Sequence, residues 1–75
     1  MEEVFRWVKD IKLTGNIIVV LTAPGTAQTV ALALDGVKIM GVVGSIAGDD
    51  TIFLAIEENR ADKIMGLLKN LKSRV

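Results

Sequence analysis

The spacing of apolar positions changes along the chain, and each change marks an expected element. Val4 to Leu13 alternates loosely, with Val4, Arg6, Val8, Asp10 and Lys12 on one side and Phe5, Trp7, Lys9, Ile11 and Leu13 on the other. Neither side is cleanly apolar, which predicts an edge strand with its Lys and Arg exposed. Thr14-Gly15-Asn16 is turn chemistry. Ile17 to Leu21 is a continuous, mostly β-branched run, and predicts a strand covered on both faces.

A helix is expected next. Thr22 is a candidate cap and Pro24 suits a first helical turn. The helix runs to Leu34 or Asp35 and stops at Gly36. Its core stripe is Ala27, Val30, Ala31 and Leu34, at the i, i+3, i+4, i+7 spacing of one helix face. Leu32 and Ala33 fall off that stripe, so the helix is apolar nearly all round and is expected to be buried on two sides. Ile39 to Ala47 and Thr51 to Ile56 read as two more strands, and Gly48-Asp49-Asp50 between them predicts an antiparallel hairpin. Asn59 to Asp62 resembles a capping arrangement, with Asp62 at the third helical position. The last helix, Ala61 to about Ser73, puts Ile64, Leu67, Leu68 and Leu71 on one face. The predicted class is α+β: a two-layer β2-α-β2-α sandwich, with two helices on one face of a four-stranded, mostly antiparallel sheet.

Composition sharpens this picture. At 75 residues the chain is one domain, and such a domain buries only about 60% of its unfolded surface. Small domains are commonly reinforced by disulfides, a metal or a partner subunit. With no Cys and no His, disulfides, thiolate zinc sites and the usual general base are gone. Oligomerisation remains. The chain is 51% hydrophobic with mean hydropathy +0.47 but only 4% aromatic, more aliphatic surface than one small core hides.

A membrane span is not expected. Leu13 to Leu34 is an uncharged run of 22 residues, long enough to cross a bilayer. It nevertheless holds Thr14, Asn16, Thr22, Thr26, Gln28 and Thr29, and Pro24-Gly25 breaks its middle. No basic stretch leads into an apolar one as in a signal peptide, and the lack of Cys is compatible with the cytoplasm.

Net charge is zero and the pI is near 6.1, against the basic footprint of a nucleic-acid binder. The charge is uneven, however. Residues 15–56 hold Asp35, Asp49 and Asp50 against Lys38 alone, whereas residues 59–75 carry a net +4. Adjacent carboxylates such as Asp49 and Asp50 repel each other unless a cation relieves them. On the residues alone a solvated hairpin tip, a cation-binding pair and a metal site all stay open, although no loop resembles the six or more oxygens that Ca²⁺ takes. Gln28 and Asp35 flank Leu32 away from the core stripe, about 10.5 Å apart along the axis, as a polar rim on a buried interface would. Pro24-Gly25-Thr26 also fits an anion-binding helix start, without a Walker or GxGxxG pattern around it.

Three segments carry a resemblance. Thr22-Ala23-Pro24-Gly25-Thr26-Ala27-Gln28, then Ala33-Leu34-Asp35, then Gly44-Ser45-Ile46-Ala47-Gly48-Asp49-Asp50-Thr51-Ile52 resemble, in order and spacing, the C-terminal domain of bacterial arginine repressors. The nine-residue hairpin is the specific part. The likeness covers essentially the whole chain and is weakest over residues 1–15 and the final helix.

The resemblance implies a β2-α-β2-α domain that forms trimers, pairs them into a hexamer, and binds L-arginine as corepressor at the trimer–trimer interface, with no other cofactor. Carried over by position, Asp49 and Asp50 would hold the guanidinium. Gln28, Asp35, Ser45 and Ala47 would contact the α-amino and α-carboxylate end, with Ser45 where Thr is common in the family. The family's winged-helix DNA-binding domain has no room before Glu2. The expectation is therefore a single domain over residues 1–75, an excised fragment or a stand-alone homologue, cytoplasmic and without operator contact of its own. The same element order occurs in pterin carbinolamine dehydratases, but those rely on histidines, so no enzyme is expected. A ligand-free oligomerisation or adaptor domain and a sensor of another cation, such as lysine or agmatine, remain as alternatives.

Overall fold

A computed structural model of the chain describes residues 2–75. A 3-10 segment, Glu2–Trp7, leads into strands β1 (Val8–Thr14) and β2 (Ile17–Thr22), helix α1 (Ala27–Val37), strands β3 (Val42–Ala47) and β4 (Thr51–Ile56), a short 3-10 turn, Glu58–Arg60, and helix α2 (Ala61–Ser73). The four strands form one sheet in the order β1-β2-β4-β3, with every neighbouring pair antiparallel. The α+β class and the two-helix, four-stranded arrangement are those expected. None of the described helices is long and apolar enough to cross a membrane, and Leu13 to Leu34 is divided among strand, turn, strand, loop and helix.

The first strand starts four residues later than predicted. Phe5, Val8 and Ile11 recur every third position, and a 3-10 segment places residues three apart on one side. Phe5 is 3% exposed, and its segment packs against both helices. The spacing survives into β1 because the register shifts between Val8 and Asp10. A bulge inserts one residue and restores the same face to the next side chain. Val8 and Ile11 thus both face the helices, which blurred the alternation.

In β2, Ile18, Val20 and Thr22 are buried and Ile17, Val19 and Leu21 are half-buried. Ile18, Val20, Ile52 and Leu54 form the floor of the core. Val30, Leu34, Ile64 and Leu68 close it from the helices. The stripe predicted for α1 is buried throughout, but only Ile64, Leu68 and Leu71 of the α2 set are, with Leu67 at 39% exposure.

The helix ends also differ. Thr22 closes β2, Pro24 lies in the following turn, and Thr26 precedes the first turn of α1 without a side-chain capping bond. The Thr26 hydroxyl instead donates to the Ala23 carbonyl at 2.6 Å. Helix α1 passes through Gly36 to Val37, and Lys38 takes the left-handed conformation at φ 56°, at roughly 1 kcal/mol for a residue with a Cβ. The glycine requirement falls at Gly41 (φ +97°), where a Cβ would lie 2.8 Å from Arg60 Cβ. Residues 39–41 are therefore a turn, and β3 begins at Val42. Arg60, not Asn59, precedes α2, again with no side-chain cap.

The opposite sheet face has no cover among the described residues. Phe53 lies between Val19 and Ile46 across the strands, with Ile46 78% and Phe53 53% exposed. The expectation that β2 is covered on both faces thus fails within a single chain. The two sheet edges also differ. β1 carries Lys9, Asp10 and Lys12 beside its bulge, whereas β3 has no charged residue. Phe5→Ala is expected to lower stability by about 3–5 kcal/mol, measured as the shift of the urea midpoint with the slope unchanged. A residue outside the cooperative unit would leave that midpoint in place.

Candidate functional site

The β3–β4 hairpin turns at residues 48–50, where the Gly48 amide donates to the Thr51 carbonyl at 2.8 Å. This tip is latched onto the loop that enters α1. The Ala27 amide donates to the Asp49 carbonyl (3.1 Å) and the Thr22 amide to the Asp50 carbonyl (2.8 Å). The Gly25 amide adds a bond to Asp49 Oδ2 at 3.2 Å. Gly25 adopts φ +78°, a conformation open to glycine, so the Pro24-Gly25 turn aims that amide at the carboxylate. The Asp50 carboxylate is engaged elsewhere and accepts the Thr51 hydroxyl at 3.0 Å.

Further along α1, Asp35 meets β3. The Ser45 hydroxyl donates to Asp35 Oδ1 at 3.2 Å. Ser45 and Ala47 pair with Leu54 and Ile52 across the hairpin, on the side of the sheet that α1 covers. Between helix and strand lies an open depression of about 280 Å³, lined by Gln28, Ala31, Leu32, Asp35, Ser45 and Ala47. A second depression of about 440 Å³, lined by Gly25, Gln28, Thr29, Gly48 and Asp49, adjoins it. Gln28 is common to both.

Five of the six expected site residues, Gln28, Asp35, Ser45, Ala47 and Asp49, thus line one continuous surface where α1 meets β3 and its hairpin. Asp50 sits beside it at the exposed tip. Ala31, Leu32, Thr29 and Gly25 also belong to that surface. Leu32, 64% exposed, was recognisable as the apolar residue between Gln28 and Asp35, and Gly25 as half of the Pro-Gly turn. Thr29 carried no signal beyond its place on the helix.

The surface carries three carboxylates, Asp35, Asp49 and Asp50. Among the described residues, no Lys or Arg lies within ion-pair distance of Asp35, Asp49 or Asp50, and the ion pairs described are Lys12–Asp10 and Arg74–Glu2. No cluster of three carboxylates converges there as it would around a metal ion, again among the described residues. Such a surface offers carboxylates for a positive charge and Ala31 and Leu32 for apolar contact. It is too open to enclose a bound molecule alone. Because the Ser45–Asp35 bond is exposed, Ser45→Ala is expected to leave stability within about 0.5 kcal/mol by urea unfolding, so a binding defect in that variant reports on the site.

Comparison with known proteins gives a consistent result. The family model described as "Arginine repressor, C-terminal domain" matches residues 5–70. The chain is similar to an arginine repressor of Koribacter versatilis, 44% identical over 67 residues that cover 88% of this chain and 45% of the relative. The arginine repressor of Thermotoga petrophila is 41% identical over 66 residues, covering 87% and 43%. That of Halothermothrix orenii is 36% identical over 78 residues, covering 92% and 52%. The chain spans about half the length of these relatives.

Proposed function

Since the chain belongs to the family of arginine repressor C-terminal domains, oligomerisation domains of transcriptional regulators rather than enzymes, we propose that it senses L-arginine as the corepressor of arginine-metabolism genes. The observation that carries this reading is that Asp35 and Asp49, with no ion-pair partner among the described residues, line adjoining open depressions with an apolar wall, and Asp50 lies beside them at the hairpin tip. A guanidinium is a planar fork that pairs bidentately with carboxylates, and Asp49 and Asp50 offer it two. Gln28, Asp35, Ser45 and Ala47 serve the amino-acid end, where Asp35 answers the ammonium charge.

In this proposal the chain forms trimers through the uncovered sheet face, and two trimers pair across the α1–β3 surface with arginine between them. The exposed Phe53 and Ile46 support the first contact. The openness of the depression supports the second, because a site completed by another subunit is shallow in one chain alone. Ligand between subunits then binds the hexamer better than the trimer, so arginine and assembly strengthen each other by linkage. Operator contact belongs to the rest of a full-length repressor in the bacterial cytoplasm. The zero net charge of this segment agrees with that division.

Selectivity follows from desolvation. Citrulline lacks the charge, and would leave the carboxylates covered and unpaired at about 3–5 kcal/mol. Light scattering with L-arginine is expected to shift the protein towards hexamer, while L-citrulline leaves it unchanged. Calorimetry with L-lysine and agmatine separates the other cations. Asp49→Asn is expected to weaken arginine binding at least about thirtyfold with the fold retained. A monomer that ignores arginine overturns the proposal. Phe53→Asp is expected to yield monomers at concentrations where the unsubstituted chain is trimeric, since the new carboxylate would be desolvated in the contact; an unchanged mass would move the contact to another surface.

A further inference from the structure

The loop between β2 and α1 is held from two directions. On one side is the hairpin tip, through Thr22 to the Asp50 carbonyl, Gly25 to Asp49 Oδ2 and Ala27 to the Asp49 carbonyl. On the other is the junction between the 3-10 segment and β1, where the Ala23 amide donates to the Trp7 carbonyl at 2.9 Å. Ala23 is the node. Its carbonyl accepts the Thr26 amide (3.2 Å), the Thr26 hydroxyl (2.6 Å) and the Thr22 hydroxyl (3.1 Å). With three donors on its carbonyl and Trp7 on its amide, Ala23 cannot shift without disturbing both ends. Trp7 in turn closes the segment that carries the buried Phe5 between the helices.

We infer that residues 22–27 form a mechanical link that couples the state of the Asp49 carboxylate to the N-terminal segment through the Ala23–Trp7 hydrogen bond. This rests on the cation-binding reading given above and adds an output to it. A cation on Asp49 pulls on the same carboxylate that holds Gly25, and the tightly bonded loop carries the change to Trp7. In a C-terminal domain the N-terminal end faces the rest of the chain, so the link points in the direction a signal has to travel. Coupling of this kind needs a measured dependence between the two ends, and the sequence supplies a reporter, because Trp7 is the only tryptophan.

Two substitutions separate the hydrogen bond from the charge. Asp49→Asn keeps an acceptor for the Gly25 amide and removes the charge, whereas Asp49→Ala removes both. Amide hydrogen exchange is read at Gly25, at Ala23 and at Val20 as a core control, with Trp7 emission alongside. Without ligand, Asp49→Ala is expected to speed exchange at Ala23 about tenfold or more and to shift Trp7 emission, with Val20 unchanged and Asp49→Asn close to the unsubstituted chain. Faster exchange at Gly25 alone overturns the link. With L-arginine, binding registered by calorimetry is expected to slow exchange at Ala23 and move Trp7 emission in the unsubstituted chain. Heat of binding with Ala23 and Trp7 unmoved overturns the link and spares the arginine reading. No heat overturns the arginine reading, and the Asp49→Ala comparison still decides the link.

Discussion

One constraint governs this molecule: its sheet has two apolar faces, and the chain has helices for only one. Ile18, Val20, Ile52 and Leu54 lie beneath α1 and α2, but Val19, Ile46 and Phe53 look outwards. Among the described residues no further helix or strand is left to cover the second face. Its apolar surplus is therefore an instruction to associate, and membership of a family of oligomerisation domains fits that physical need.

The acidic surface follows from the same economy of parts. Helix α1 lies over β3 and β4, so its Gln28 and Asp35 meet Ser45 and Ala47 at the seam between the layers. The hairpin tip brings Asp49 to the start of the helix, where backbone amides orient it. Net positive charge in the chain is concentrated after residue 58, and Lys38, which lines a neighbouring depression with Asp35, forms no ion pair with it among the described residues. The resulting imbalance, together with the apolar Ala31 and Leu32, is the ground on which the proposed preference for a cation with a hydrocarbon stem rests.

Much of this was legible in the sequence. Element order, sheet class, the α1 stripe and the β3–β4 hairpin follow from periodicity and turn chemistry, and five of the six expected site residues share one surface. Phe5 was hidden because a bulge at Val8–Asp10 converts a three-residue spacing into an apparent imperfect alternation. The end of α1 was misplaced because Gly36 is tolerated inside a helix, while Lys38 takes the left-handed turn that a glycine would ordinarily occupy. The capping role expected of Thr22 is not met because α1 begins only at Ala27, which leaves Thr22 at the end of β2 and puts Thr26 in the cap position. The hydrogen bond from Ala23 to Trp7 joins backbone groups, and no side-chain pattern could announce it.

The unequal edges of the sheet carry a further consequence. Both edges carry a register shift, but only the β1 edge is also guarded by charge, through Lys9, Asp10 and Lys12, whereas the β3 edge has none. Head-to-tail pairing of β1 with β3 would repeat without end and build a fibre. Guarding β1 removes that route. Two β3 edges could meet only once, about a twofold axis, and would leave only guarded edges outside. Growth along the sheet would thus be self-terminating, which is compatible with the closed assembly proposed for this chain.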